Sequence, residues 1–88
     1  MKTFKLIVST PNGNALEKEI TMLSIRGTEG SLAVMAGHIP FITTTKAGEI
    51  KVKTENGEEV YEASNGMLTV TKDVTTLLCG AFNKAENK

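Results

Sequence analysis

No tryptophan occurs among the 88 residues, and aromatic side chains make up only 5% of them. Platforms for stacking bases are therefore scarce, which weighs against a nucleic-acid partner. Basic and acidic residues balance to a formal net charge of +0, so no strong electrostatic footprint for nucleic acid or an anionic bilayer is present. Cys79 is the only cysteine, which excludes an internal disulfide and suits a reducing compartment. His38 is the only histidine, so the several ligands at regular spacing that a metal site needs are missing. No apolar run approaches the ~20 residues of a membrane-spanning helix. The start, Met1-Lys2-Thr3-Phe4-Lys5, intersperses charge where a signal peptide needs an uninterrupted apolar core. Membrane association is expected only through a protein partner.

What is present is a dense series of turns between short apolar runs. The length suits one domain, which at this size buries about 60–65% of its unfolded surface. The stretch Gly27 to Phe41, G-T-E-G-S-L-A-V-M-A-G-H-I-P-F, organises the chain. Gly27 and Gly30 predict a tight turn, because glycine accepts positive φ. Leu32 and Val34 then point to one face of a strand. Gly37-His38-Ile39-Pro40 closes it, with Pro40 holding Ile39 extended. The glycines do not make a phosphate-binding loop, which needs G-x-x-x-x-G-K-[S/T] opening a helix. No lysine follows Gly30 or Gly37, and an apolar run follows Gly30.

Upstream, Phe4, Leu6 and Val8 alternate with Lys5, Ile7 and Ser9 as a first strand. Ile7 makes that strand apolar on part of both faces, as if covered on both sides. Thr10-Pro11-Asn12-Gly13 is a turn. Leu16, Ile20 and Met22 share one parity, and Leu23 and Ile25 the other. A bulge or a strand changing sheets produces such a switch. Helix is the rival reading for Leu16 to Leu23, and the bracketing turns favour strand. Downstream, Phe41 to Thr45 is β-branched, Ile50 and Val52 alternate with charge, and Glu55-Asn56-Gly57-Glu58 carries a hairpin signal. Met67 to Val70 and Val74 to Cys79 form a last hairpin across Lys72-Asp73. Turns roughly every 8–12 residues predict an all-β fold, an antiparallel sandwich or barrel, without repeats or linkers. The expected boundaries are a sandwich domain over 1–81 and a short polar tail over 82–88. The segment from Ala81 can start a helix but is too short to hold one alone.

The candidate chemistry is thin. Nucleophilic catalysis needs Ser or Cys beside an oriented base, and nothing in the sequence brings Cys79 to His38. Glu58-Glu59 and Glu62 read as solvated charges around a hairpin. Met22, Met35 and Met67 read as core filler ahead of contact surface. No catalytic residue, cofactor or metal is expected.

Taken in order, these residues resemble the epsilon subunit of F-type ATP synthase, in its N-terminal beta-sandwich domain. The family pattern G-x-x-G-x-L-G-V-L-P-G-H-x-P is matched by Gly27, Gly30, Leu32, Val34, Gly37, His38 and Pro40. Thr10-Pro11-x-Gly13, Gly48 before an Ile/Val strand, and Ser64-x-Gly66-x-Leu68-x-Val70 follow at the right order and distance. The resemblance runs from Phe4 to Ala81. Ala33 stands for a usual glycine, Ala36 for a usual proline and Ser31 for a frequent acidic residue.

The resemblance implies an antiparallel β-sandwich of about ten short strands, a non-catalytic rotor subunit at the foot of the central stalk. It would couple rotation of the ring of c subunits, driven by protons or sodium ions, to the gamma subunit and the catalytic head. It implies ring contact at Thr28, Glu29, Gly30 and Ser31, and gamma contact at His38, Ile39 and Phe41. It also implies a peripheral location on the cytoplasmic face of a bacterial inner membrane, or the matrix or stromal face of an organelle. Many relatives carry a helical hairpin after the sandwich. Eight residues after Gly80 cannot supply one, so coupling without hairpin-type inhibition is expected. The rival classes are a small all-β carrier domain of lipoyl or biotinyl type and an oligonucleotide-binding (OB-like) barrel. The first needs a lysine at an exposed hairpin tip beside methionine, and only Met1 adjoins a lysine.

Overall fold

The computed structural model describes residues 2–27, 30–37 and 40–85. Ten strands follow the predicted turns closely. They are β1 (Phe4–Thr10), β2 (Gly13–Ile20), β3 (Met22–Gly27), β4 (Gly30–Met35), β5 (Phe41–Thr45), β6 (Gly48–Thr54), β7 (Gly57–Ala63), β8 (Gly66–Val70), β9 (Val74–Cys79) and β10 (Phe82–Lys84). No helix appears among the described residues, and the rival helix over Leu16 to Leu23 gives way to β2 and β3.

The strands hydrogen-bond in the order β10-β7-β6-β3-β5-β8-β9-β1-β2, with β4 on β3. The strands of that path, without β4, would span roughly 38 Å if laid flat at ~4.8 Å apart. The molecule's longest extent is 29 Å, so the sheet must fold over on itself. The fold line lies where β3 meets β5, joined by the single register pair Gly27↔Thr45. On one side β4, β3, β6, β7 and β10 make a first layer; on the other β5, β8, β9, β1 and β2 make a second. At the far seam Thr21 donates its backbone N–H to the Lys53 carbonyl at 2.7 Å, nearly closing a barrel.

The core lies between the layers. Leu6, Val8, Ile20, Leu23, Val52, Leu68 and Leu77 are almost wholly buried, each from the inward parity of its strand. The parity switch before Leu23 has a plain cause: β2 pairs with β1, whereas β3 pairs with β4 and β6, so the chain changes layers at Thr21. Gly66 opens β8 where a Cβ would collide with the Leu78 carbonyl oxygen, so the family's glycine at this point is a packing requirement.

Two expectations are corrected. One pair, β1 with β9, is parallel. The sheet also extends past residue 81: Phe82, Asn83 and Lys84 pair with Ala63, Glu62 and Tyr61. The segment read as a possible helix start is a strand because the open edge of β7 offers hydrogen-bonding partners that an isolated turn of helix lacks. Phe82 adds a stacked contact on Tyr61, with ring centroids 4.9 Å apart.

Candidate functional site

The outward parity of the second layer holds an unusual surface. Ile42 pairs with Thr69, Thr69 with Thr76, and Thr76 with Ile7. One row along, Thr44 pairs with Met67, Met67 with Leu78, and Leu78 with Ser9. Four adjacent strands therefore present two rows of apolar and hydroxyl side chains without a charge. Charge rims these rows at Lys5 on β1 and at Glu17 on β2, which faces Ile7 and meets Lys5 at 3.2 Å. Ile42 is 66% exposed, Leu78 47% and Met67 43%, large apolar groups left in water by the isolated chain. Shallow depressions flank the rows, one of about 440 Å³ beside Pro40 and Phe41 and one of about 530 Å³ beside Thr10 and Pro11. Contiguous exposed apolar surface on a folded domain marks a docking face.

The exposure of Met35 and Met67 corrects the reading of the methionines as core; only Met22 is half-buried. The alternating pattern that fills the core does not require these positions to be apolar. The legible signal was apolar residues on both parities: Ile7 beside Val8, Ile42 beside Phe41, Leu78 beside Leu77.

A second candidate surface is the β3–β4 hairpin end. Gly27 pairs with Gly30 and Arg26 with Ser31. Gly30 has φ +128°, the left-handed side that favours glycine. Gly30 and Ser31 are exposed, as is Arg26. Thr28 and Glu29 lie outside the described residues, and so do His38 and Ile39. Phe41 is half-buried and packs against the core, leaving Ile42 as the adjacent outward side chain. The described members of the two predicted groups, Gly30 and Ser31 on one side and Phe41 on the other, lie apart. Gly27 pairs at the Thr45 end of β5, and Phe41 begins it about 13 Å away at ~3.3 Å per residue.

Between the layers lies a polar group the sequence did not reveal. Lys18 Nζ donates to Glu59 Oε1 at 2.7 Å, and the Tyr61 hydroxyl donates to the same oxygen at 2.6 Å. These two bonds hold the Glu59 carboxyl below its ordinary range. Burial, then the adjacent Glu59, pushes the Tyr61 phenol up to about 12. Glu59, read as a solvated charge, is thus half-buried and paired. Glu58 and Glu62, on the opposite parity, are exposed. Burial raises the Cys79 thiol, which keeps it protonated and unreactive. Among the described residues no three His, Cys, Asp or Glu side chains are grouped to hold a metal. The outer face offers the arrangement of a protein-binding surface.

Known proteins resemble this chain over nearly its whole length. It is 44% identical over 78 residues to the sodium-ion-specific ATP synthase epsilon chain of Propionigenium modestum, covering 89% of this chain and 57% of that one. It is 37% identical over 87 residues to the ATP synthase epsilon chain of Anoxybacillus flavithermus, covering 99% and 65%. The chain thus spans between about half and two-thirds of these relatives' length. In solved structures, a chain of the Euglena gracilis mitochondrial ATP synthase superposes with a TM-score of 0.87 at 22% identity, covering 93% of this chain and 53% of that one. A chain from the central stalk and c-ring of the Tetrahymena thermophila mitochondrial ATP synthase gives 0.79 at 13% identity, covering 94% and 67%; both likenesses bear on the fold. The family model for the ATP synthase Delta/Epsilon chain beta-sandwich domain matches residues 3–85, and with the doubled sheet and its glycine-marked corners in place the chain belongs to that family.

Proposed function

We propose that this chain is the β-sandwich of a central-stalk rotor subunit of F-type ATP synthase, binding the gamma subunit and the ring of c subunits and passing rotation between them. The uncharged outer face of the second layer carries the reading. A rotor part needs a stiff body with a surface for each neighbour, and this face is broad, apolar and rimmed by charge. It continues from Phe41, at the start of β5, and is assigned to gamma together with His38 and Ile39. The β3–β4 end, Thr28 to Ser31, is assigned to the ring. Loops carried on rigid scaffolds are where binding residues concentrate. The role is non-catalytic and uses no cofactor. Attachment to the membrane runs through the ring, at the cytoplasmic face of a bacterial inner membrane or its organellar counterpart. No helix among the described residues is long and apolar enough to cross a bilayer. The 44% likeness to a sodium-specific chain keeps sodium and protons both open as the coupling ion.

Charge placed in the outer face tests the assignment. Ile42→Lys and Leu78→Glu sit on exposed positions, so thermal stability is expected to move by no more than about 0.5 kcal/mol. Affinity for purified gamma is expected to fall by about tenfold or more, because a charge is then buried without a partner. Ser31→Arg is expected to spare gamma binding and weaken assembly with the ring. Undiminished gamma affinity in both face variants would remove the assignment.

A further inference from the structure

The pair Lys18–Glu59 occupies an unexpected position. On β2, Leu16, Lys18 and Ile20 share the inward parity, and Ile20 is fully buried. On β7, Glu59, Tyr61 and Ala63 share the inward parity, and Tyr61 and Ala63 are buried. Lys18 registers with Leu6 and Glu59 with Val52, both core residues. The ion pair therefore spans the inside of the sandwich, from the edge strand of the second layer to the first layer. Backbone pairing joins the layers at the opposite seam through the single pair Gly27↔Thr45. At this seam the backbone contributes Thr21 N–H to Lys53 O, reinforced by the Thr21 hydroxyl at 3.2 Å. Beyond that point the seam is bridged by Lys18 on Glu59. Tyr61 ties the carboxylate to its own strand and stacks on Phe82, carrying the contact into β10. Lys84 on β10 adds positive field at Glu59, so the carboxylate sits between cations from both layers.

We propose that Lys18, Glu59 and Tyr61 form a positioning latch that fixes the orientation of one layer on the other, and hence of the gamma-facing surface on the ring-facing hairpin. This rests on the proposed rotor function for its consequence, and on the geometry alone for the latch. Apolar packing holds the layers without directional bonds, whereas a hydrogen-bonded ion pair adds a contact that is satisfied in one register only. The assigned docking surfaces lie on different layers. Torque passing between them must cross the interlayer seams, and Lys18 on Glu59 bridges this one. The latch residues lie outside both assigned docking surfaces and act through the layers they join.

The test separates orientation from stability and from binding. In a Cys79→Ala background, thiols introduced at Lys51 and Thr76 place spin labels on the outer faces of the two layers of the full chain. Glu59→Gln breaks the ion pair at constant shape. The double variant Lys18→Met with Glu59→Leu fills the seam with apolar atoms and is expected to match or exceed the unsubstituted chain in thermal midpoint. In both variants the interlayer distance distribution is expected to broaden by about twofold, although only one of them loses stability. In the assembled synthase, Glu59→Gln is expected to leave gamma and ring association intact and to lower the ions pumped per ATP hydrolysed. Unchanged distance widths in both variants would overturn the latch. An unchanged pumping ratio in the assembled Glu59→Gln enzyme would overturn its role in coupling. Failure of the unsubstituted chain to bind gamma or the ring would instead strike the rotor function, and the distance measurement would still decide the latch.

Discussion

At Ser64 one hydroxyl oxygen accepts the backbone N–H groups of Gly80 and Ala81, at 2.9 and 3.0 Å. Ser64 also donates its own N–H to the Ala81 carbonyl. The neighbouring Asn65 side chain accepts the N–H of Ala47 at 2.7 Å. One corner residue pair thus ties three inter-strand connections together, which explains Ser64 and Asn65 more fully than a turn signal does. Ser64→Ala is expected to lower stability by about 1–2 kcal/mol, read from urea unfolding, since two N–H groups lose their acceptor. Glu59 gives a pH-dependent case. Its carboxyl is depressed in the folded chain, so its contribution is present above the ordinary value of 4.5 and is lost as pH falls through the lower folded value. Glu59→Gln is therefore expected to lower the urea midpoint at pH 7. The gap to the unsubstituted chain should close progressively below pH 4.5, measured as midpoint against pH.

Among the elements, β10 is the least secure in isolation and the most dependent on context. Three residues with one aromatic cannot hold a strand alone, so its existence depends on the open edge of β7 and on Tyr61. Phe82→Ala is expected to cost about 2 kcal/mol and to speed amide exchange in β10 while sparing β1 and β9. Equal acceleration throughout the sheet would mean that β10 unfolds only with the whole domain. By contrast, β6 and β7 are a hairpin whose ends meet at Thr54↔Gly57, and the sequence announced it in Asn56-Gly57. Local turn chemistry decided that element; a distant edge decided β10.

For the whole molecule, the connection that matters most is β1 on β9. Ile7 lies beside Thr76, and β2 follows β1 at the sheet's end, so the second layer cannot close until both chain ends have met. Loop closure over most of the chain must precede any return from that pairing. Refolding by stopped-flow dilution from urea is expected to take milliseconds to seconds, as for β-sandwiches generally. A microsecond phase carrying the full amplitude would contradict this topology.

Turn positions, the parity switch near Met22 and the inward alternation of β1 to β9 were legible in the sequence, because each depends on neighbours within a few residues: alternation of apolar side chains, and glycine or proline where the backbone must bend. The ordered glycine pattern from Gly27 to Pro40 carried the family as well. Which apolar residues stay outside was not legible. Met35, Met67, Ile42 and Leu78 look like core in one dimension, and become surface only when the second face of each strand is left without a covering layer. Lys18 and Glu59 are the converse: ordinary surface charges by type, yet set on inward parities of strands far apart in sequence and placed within one hydrogen bond by the folding of the sheet onto itself. Pairing across that seam is a long-range event, and no local pattern encodes it.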